Sequence, residues 1–108
     1  MIEHIYQYLA HLNIKKSKAI ESNFPFEDKV NWLFLEKEEK QYSFIYNIKS
    51  PKTSLYNSPF EIEVKFLMYD ELKNIIELER DYKVYRGEEE IGTIKLLDVI
   101  IDPDSLDL

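Results

Sequence analysis

Apolar side chains near the amino terminus recur at intervals of three and four residues. They occupy five of the first twelve positions: Ile2, Ile5, Tyr6, Leu9 and Leu12. Because an α-helix has 3.6 residues per turn, this spacing places them on one face. The pattern predicts an amphipathic helix, within a helical amino-terminal segment over residues 1–28. A second short helix is predicted around Lys16–Ser22, and Pro25 stops it because proline disfavours a helical conformation in the residue before it.

The period of the pattern falls to two residues after position 29. Apolar and polar side chains alternate in residues 42–49 and again in residues 60–68, which is typical of strands with one solvated face. Residues 30–37 are apolar at odd and even positions alike, so we expect a strand covered on both faces, with the predicted helix on one of them. The charged EKEEKQ after this strand predicts a hairpin connection. Residues 50–59, which contain two prolines, predict a loop.

The carboxyl-terminal half contains one ambiguous segment, residues 69–81. Its apolar positions fit a helical turn that starts at Asp70, whereas IIELE by itself fits the start of a strand. We favour the short helical turn. Two further strands are predicted in DYKVYRG and IGTIKLLDVII, separated by acidic residues. Pro103 ends the second of them, and residues 102–108 form an acidic tail.

Both glycines of the chain lie in the region of these last two strands. Gly87 is predicted to take the positive φ that a tight hairpin turn or an adjoining bulge requires. Gly92 lies inside a strand, where glycine weakens packing. It therefore predicts a bulge or a sharp coil at which the backbone passes close to a neighbouring strand.

These elements predict a single α+β domain over residues 1–108. The sheet, over residues 29–101, would contain five to six short antiparallel strands. It has to hide its edges, which closure into a small barrel or strong coiling achieves. We therefore expect an amino-terminal amphipathic helix packed on a small antiparallel β-barrel or strongly coiled sheet.

The segment YKVYRGEEEIGTIKLLDVI resembles the closing hairpin of the β-barrel domains that follow the GTPase domain in elongation factor Tu and its relatives. The segment SPFEIEVKFLMYDEL resembles the strand before that hairpin, so the likeness covers residues 59–100. The resemblance implies a barrel and, as one functional alternative, a translation-associated accessory domain. The chain lacks the family's G-x-x-x-x-G-K-[ST] loop, so no nucleotide hydrolysis is carried over.

Charge is distributed unevenly along the chain, whose net charge is −7. Residues 1–54 carry 8 basic and 7 acidic side chains. Residues 55–108 carry 6 basic and 14 acidic side chains, which gives this half a net charge of −8. An acidic surface repels phosphate, so we expect no nucleic-acid partner and favour a basic protein partner. The sequence has no cysteine, no signal-peptide pattern and no run long enough to cross a bilayer. We expect a cytoplasmic protein without a membrane partner.

Candidate catalytic and metal-binding residues are few. His4 and His11 share a face of the predicted helix with Tyr8, but no HExxH motif, cysteine or further ligand accompanies them. Glu61 and Glu63 are predicted on a solvated strand face, where nothing would tune a carboxylate for acid–base chemistry. No nucleophile motif is present. We predict no catalytic, cofactor-binding or metal-binding residue and a protein that is not an enzyme.

The leading hypothesis is a non-catalytic protein-binding domain, specifically a small acidic bacterial immunity protein that neutralises a basic toxin. Two aromatic anchors and five carboxylates are predicted to bind the partner: Tyr82, Tyr85, Glu88, Glu89, Glu90, Asp102 and Asp104. The alternatives for these residues are tyrosines that line the edge of the core and glutamates that keep a turn soluble. Besides the translation-associated domain, the functional alternative is a small-ligand-binding barrel or enzyme with a pocket between helix and sheet.

Overall fold

The computed structural model describes residues 6–15, 33–50 and 57–100, most of which lie in strands. Six strands and a single helical turn follow one another along the chain: β1 (Tyr8–Ile14), β2 (Leu33–Lys37), β3 (Lys40–Ser50), β4 (Phe60–Phe66), α1 (Tyr69–Leu72), β5 (Asp81–Arg86) and β6 (Glu89–Val99). The short helix predicted around Lys16–Ser22 and the acidic tail predicted over residues 102–108 lie outside the described residues. No helix in the described ranges is long and apolar enough to cross a bilayer.

The strands form a closed antiparallel barrel in the order β1-β4-β3-β2-β5-β6, with β6 paired again to β1. Strands β2, β3 and β4 are neighbours in sequence and in space, and β5 returns to lie beside β2. This arrangement is a Greek key. Closure pairs each strand on both sides and leaves no open sheet edge. The predicted small antiparallel barrel is therefore confirmed.

The predicted amino-terminal helix is wrong, and with it the α+β fold class. The residues from Tyr8 to Ile14 form β1, which pairs with β4 through Tyr8↔Val64 and with β6 through Tyr8↔Val99. Its burial alternates, with every second side chain from Tyr8 onward buried. The apolar residues of YLAHLNI fit the two-residue period of a strand as well as the three-to-four-residue period of a helix. Pairing with two neighbouring strands favours the strand. Residues 1–5 and 16–28 lie outside the described residues.

The interior of the barrel is filled by side chains from every strand. Its largest fully buried members are aromatic or branched aliphatic: Phe44, Phe60, Phe66, Leu12, Leu35, Ile62, Leu72, Ile94, Leu96, Val64 and Val84. Phe44 and Phe66 meet edge to face, with ring centroids 5.6 Å apart. Since residues 8–14 form β1, the described residues contain no amino-terminal helix that could border the predicted pocket. The predicted covering of the strand by that helix is wrong for Leu33–Lys37, because residues 8–14 form β1 and Phe34 and Glu36 on the outer face of β2 are half-buried. Residues 30–32 lie outside the described residues.

The short helical turn predicted after β4 is confirmed as α1. It begins at Tyr69 rather than Asp70, and it closes one end of the barrel because the side chains of Tyr69 and Leu72 are buried in the core. Lys40 Nζ lies 2.7 Å from Glu71 Oε2 and connects α1 to the start of β3. Both side chains are about half exposed, so this ion pair contributes little to stability.

Both glycine predictions are confirmed. Gly87 has φ +61° and is the first residue of the two-residue turn between β5 and β6. The register of this hairpin changes from Val84↔Gly92 to Tyr85↔Glu90. Ile91 is therefore the extra residue of a β-bulge directly beside Gly92.

The turn between β2 and β3 consists of two glutamates in an unfavourable backbone conformation. Glu38 has φ 54° and Glu39 has φ 66°, the combination of a type I′ turn that asparagine and glycine prefer. We expect the double substitution Glu38→Asn with Glu39→Gly to raise the free energy of unfolding by about 1–2 kcal/mol, because it relieves left-handed strain. Urea denaturation measures this change. Glu88→Asn, at a turn residue without positive φ, serves as the control; equal changes in both variants would contradict the prediction.

Candidate functional site

The hairpin of β5 and β6 brings Tyr85 and Glu90 opposite each other. The two residues are partners in the strand register, and the Tyr85 hydroxyl donates a hydrogen bond of 3.4 Å to Glu90 Oε1. The same carboxylate oxygen lies 3.7 Å from Lys83 Nζ. The hairpin forms here because Gly87 permits a two-residue turn, which fixes the register of the residues that follow it.

Strand β2 completes the surroundings of the Tyr85 ring from the other side. Phe34 is the register partner of Tyr85, and Glu36 lies two positions further along the same outer face of β2. Partial desolvation raises the pKa of the Tyr85 phenol, the carboxylates of Glu36 and Glu90 raise it further, and the Lys83 ammonium opposes them. Tyr85 therefore keeps its proton, and its half-buried ring lies near two carboxylates, of which Glu90 also pairs with Lys83.

The other predicted tyrosine, Tyr82, belongs to the core. Its side chain is 6% exposed, and its hydroxyl accepts a hydrogen bond of 2.9 Å from the Glu77 backbone N–H. The Lys37 ammonium lies 5.7 Å from the centre of its ring. Tyr42 and Tyr46 are buried in the same core. Tyr82 thus supports the barrel wall and offers little surface to a partner.

The predicted carboxylates are only partly brought together. Glu88 and Glu90 are exposed and Glu89 is half-buried, all at or next to the turn that starts at Gly87. Asp102 and Asp104 lie outside the described residues. We name the group formed by Glu36, Tyr85, Glu88, Glu89 and Glu90 the hairpin surface.

Sequence reasoning missed Glu36 and Phe34 as neighbours of Tyr85. They are about 50 positions away in the chain, and only the return of β5 to the side of β2 brings them together. A signal was nevertheless present in LFLEK. Its apolar residues occupy both faces of the strand, so that one of them, Phe34, had to point away from the barrel interior.

Two open grooves lie on the outside of the barrel, along β1 and β6. One, of about 320 Å³, reaches from Asn13 and Lys15 to Glu90 and so adjoins the hairpin surface. The second, of about 250 Å³, is lined by His11 and Lys95 among others. His11 is exposed whereas Tyr8 points into the core, so these two do not share the face that the helix predicted; His4 lies outside the described residues.

The hairpin surface combines an aromatic ring with several carboxylates at one end of the barrel. Such a surface attracts cations through the face of the ring and through charge. No protein-family model, no curated protein sequence and no solved structure matches this chain.

Proposed function

We propose that this protein is a non-catalytic domain that binds a basic protein partner through the hairpin surface. The observation that carries the proposal is the half-buried ring of Tyr85 on the outer face of β5, with Glu90 as its register partner on β6 and Glu36 on the neighbouring strand β2. Tyrosine is enriched at interfaces because it offers a large contact area at a small entropic cost. A lysine or arginine of the partner would contact the ring face and pair with the flanking carboxylates.

The charge of the chain supports a basic partner. The 14 acidic and 6 basic side chains of residues 55–108 create a negative field that accelerates the encounter with a positively charged protein. In its specific form, the proposal is a bacterial immunity protein that occupies a basic toxin in the cytoplasm. A cysteine-free sequence is compatible with that reducing compartment.

Affinity capture followed by binding measurements tests this proposal. The chain is immobilised, exposed to an extract of its source cells at low and at moderate salt, and the retained proteins are identified and purified. We expect a basic protein whose Kd rises about 30-fold with Tyr85→Ala, as for an aromatic hot spot. Replacing Glu88, Glu89 and Glu90 together by glutamine should slow association about tenfold, because steering weakens.

A matched control uses carboxylates on another part of the barrel. Glu61 and Glu63 lie on β4, which is not adjacent to the hairpin. Their replacement by glutamine should leave the Kd within about twofold, as expected for substitutions outside an interface. Retention of no basic protein at either salt concentration, or equal effects of the hairpin and control variants, would contradict the proposal.

The two other functional hypotheses have fewer supporting observations. The small-ligand-binding or enzymatic alternative was tied to a pocket between helix and sheet, and β1 stands where that helix was expected. The translation-associated alternative rests on the resemblance of residues 59–100 to elongation factor Tu-like barrels and stays a prediction. Binding of the purified chain to ribosomes, to elongation factor or to tRNA would test it.

A further inference from the structure

Large exposed apolar side chains gather at the end of the barrel opposite the hairpin turn. Five such side chains are between 40% and 49% exposed in the described part of the chain: Leu67, Met68, Leu78, Val99 and Ile100. The first two follow the end of β4, Leu78 precedes β5, and the last two end β6. We name this group the rim surface. Scattered apolar residues are ordinary on a protein surface, but a group at one place indicates an interaction site.

Backbone hydrogen bonds place the rim residues at the ends of neighbouring strands. Gln7 donates its N–H to the Val64 carbonyl on the β4 side, and its own carbonyl accepts from the Ile100 N–H on the β6 side, at 2.9 and 2.8 Å. The Glu79 N–H donates to the Leu96 carbonyl at 2.7 Å, which places Leu78 beside the end of β6. The five apolar residues therefore follow one arc along β4, β1, β6 and the start of β5.

Carboxylates outnumber basic groups in the chain segments that carry these apolar side chains. The segments 67–80 and 98–100 contain five acidic residues, Asp70, Glu71, Glu77, Glu79 and Asp98, against the two basic residues Lys73 and Arg80. The net charge of these two segments is therefore −3. Glu71 pairs with Lys40 and Glu77 with Arg80, while the Lys73 ammonium lies 5.8 Å from the centre of the Tyr69 ring.

We infer that the rim surface docks an apolar segment of the basic protein partner, with lysine or arginine residues of that segment facing Asp70, Glu79 and Asp98. This inference rests on the proposed function, since it names where the same partner makes its apolar contacts. Charge complementarity favours this occupant. A second copy of the chain would bring one acidic rim against another, which costs free energy.

One partner can reach both surfaces. Strand β6 extends from the hairpin turn to the rim, and its 11 residues span about 35 Å at the usual rise of a strand. A standard interface covers about 800 Å² on each partner, and a patch of that area is about 30 Å across. An interface that joins the hairpin surface to Leu78, Val99 and Ile100 therefore runs along the outside of β5 and β6 and is slightly longer than such a patch, whereas Leu67 and Met68 lie further round the barrel, at the end of β4.

Binding of the purified basic partner to rim variants tests the inference. In the double variant Leu67→Gln with Ile100→Thr, both side chains are exposed, so the urea midpoint should stay close to that of the original chain. We expect the Kd to rise about 10- to 100-fold, mainly through faster dissociation. The charge variant Asp70→Asn with Glu79→Gln should instead slow association several-fold. Tyr85→Ala serves as the comparison at the hairpin.

The outcomes separate the inference from the proposed function. If no basic protein is retained by the unaltered chain, both are wrong. If a basic protein binds and Tyr85→Ala weakens it while the rim variants bind as the original does, the rim inference is overturned and the proposed function stands. Sedimentation of the purified chain provides a third test. If the chain forms a dimer and the double variant Leu67→Gln with Ile100→Thr is a monomer, the rim surface binds a second copy of the chain, and the inference is overturned.

Discussion

Substitution of Gly92 by alanine is expected to lower the free energy of unfolding by about 3 kcal/mol, or to prevent closure of the barrel. A Cβ at this position would collide with the Asn13 carbonyl oxygen, and it would lie 2.8 Å from the Ile14 Cα and 2.9 Å from the Asn13 carbonyl carbon. All three atoms belong to the backbone of β1. A side chain could rotate away from such a contact, but a paired strand cannot.

The cost is high because β6 is held on both sides at this point. Gly92 is the register partner of Val84 on β5 and of Ile14 on β1. Moving β6 away from β1 would stretch the hydrogen bonds of that seam, and the bulge at Ile91 already fixes the coil of the strand. The expected loss should therefore appear as a lower urea midpoint, followed by circular dichroism in the far ultraviolet.

Gly87→Ala is the control for this experiment. No atom lies within 4 Å of a Cβ built at Gly87, but its φ of +61° disfavours any side chain. We expect a loss of about 1 kcal/mol, from backbone conformation alone. If Gly92→Ala costs no more than Gly87→Ala, close approach of β1 is not the reason for the glycine in β6.

Substitution of Gln7 by leucine is expected to cost about 2–4 kcal/mol. Gln7 is the one polar residue that is buried in the described ranges, with 4% of its surface exposed. Its Oε1 accepts a hydrogen bond of 2.8 Å from the Phe66 backbone N–H, and its Nε2 donates one of 3.4 Å to the Phe66 carbonyl. Leucine keeps the volume but leaves two buried backbone groups without these partners, each at a cost of about 1–3 kcal/mol.

The Gln7 side chain forms hydrogen bonds to β4 just beyond the point where the backbone pairing of β1 and β4 ends. The last backbone bond of this seam runs from the Gln7 N–H to the Val64 carbonyl. Phe66 lies further along β4, just before the chain turns into α1, and its backbone is satisfied by the side-chain amide. Loss of this contact should therefore loosen the end of the barrel that carries the rim surface.

Asn47→Ala provides the comparison for Gln7. The Asn47 amide donates to Glu63 Oε1 at 3.1 Å from a half-buried position on the outer face. Water can replace this bond, so we expect a loss of no more than about 1 kcal/mol. Urea denaturation measures both variants. Similar losses for Gln7→Leu and Asn47→Ala would mean that burial of the Phe66 backbone does not set the cost.

The strands of the second half could be predicted because their pattern allowed one period only. Phe60, Ile62, Val64 and Phe66 alternate with charged residues, and a helix would have placed charges around its whole circumference. The stretch YLAHLNI allowed both periods, because Leu9 adds an apolar residue to the outer face of β1. Local spacing could not decide there, and the choice was made by backbone pairing with β4 and β6.

Sequence alone could predict only those contacts of the candidate site that join residues close together in the chain. Tyr85 and Glu90 flank one tight turn, so their proximity followed from the hairpin. Tyr82 and Tyr85 are three residues apart, which puts them on opposite faces of a strand. That alternation argues against Tyr82 as a surface anchor, and the structure places it in the core.

The sequence by itself determined the strand pattern from residue 40 onward, the tight turns, the closeness of backbones at Gly92 and the acidic charge of the second half. These properties depend on residue type and on spacing of a few positions. Only the tertiary structure decided that residues 8–14 form a strand, that Glu36 joins Tyr85, and that the exposed apolar residues gather on one rim. The physical reason is that each of these depends on which distant strands pair, and pairing is selected by the closure of the whole barrel around a shared core.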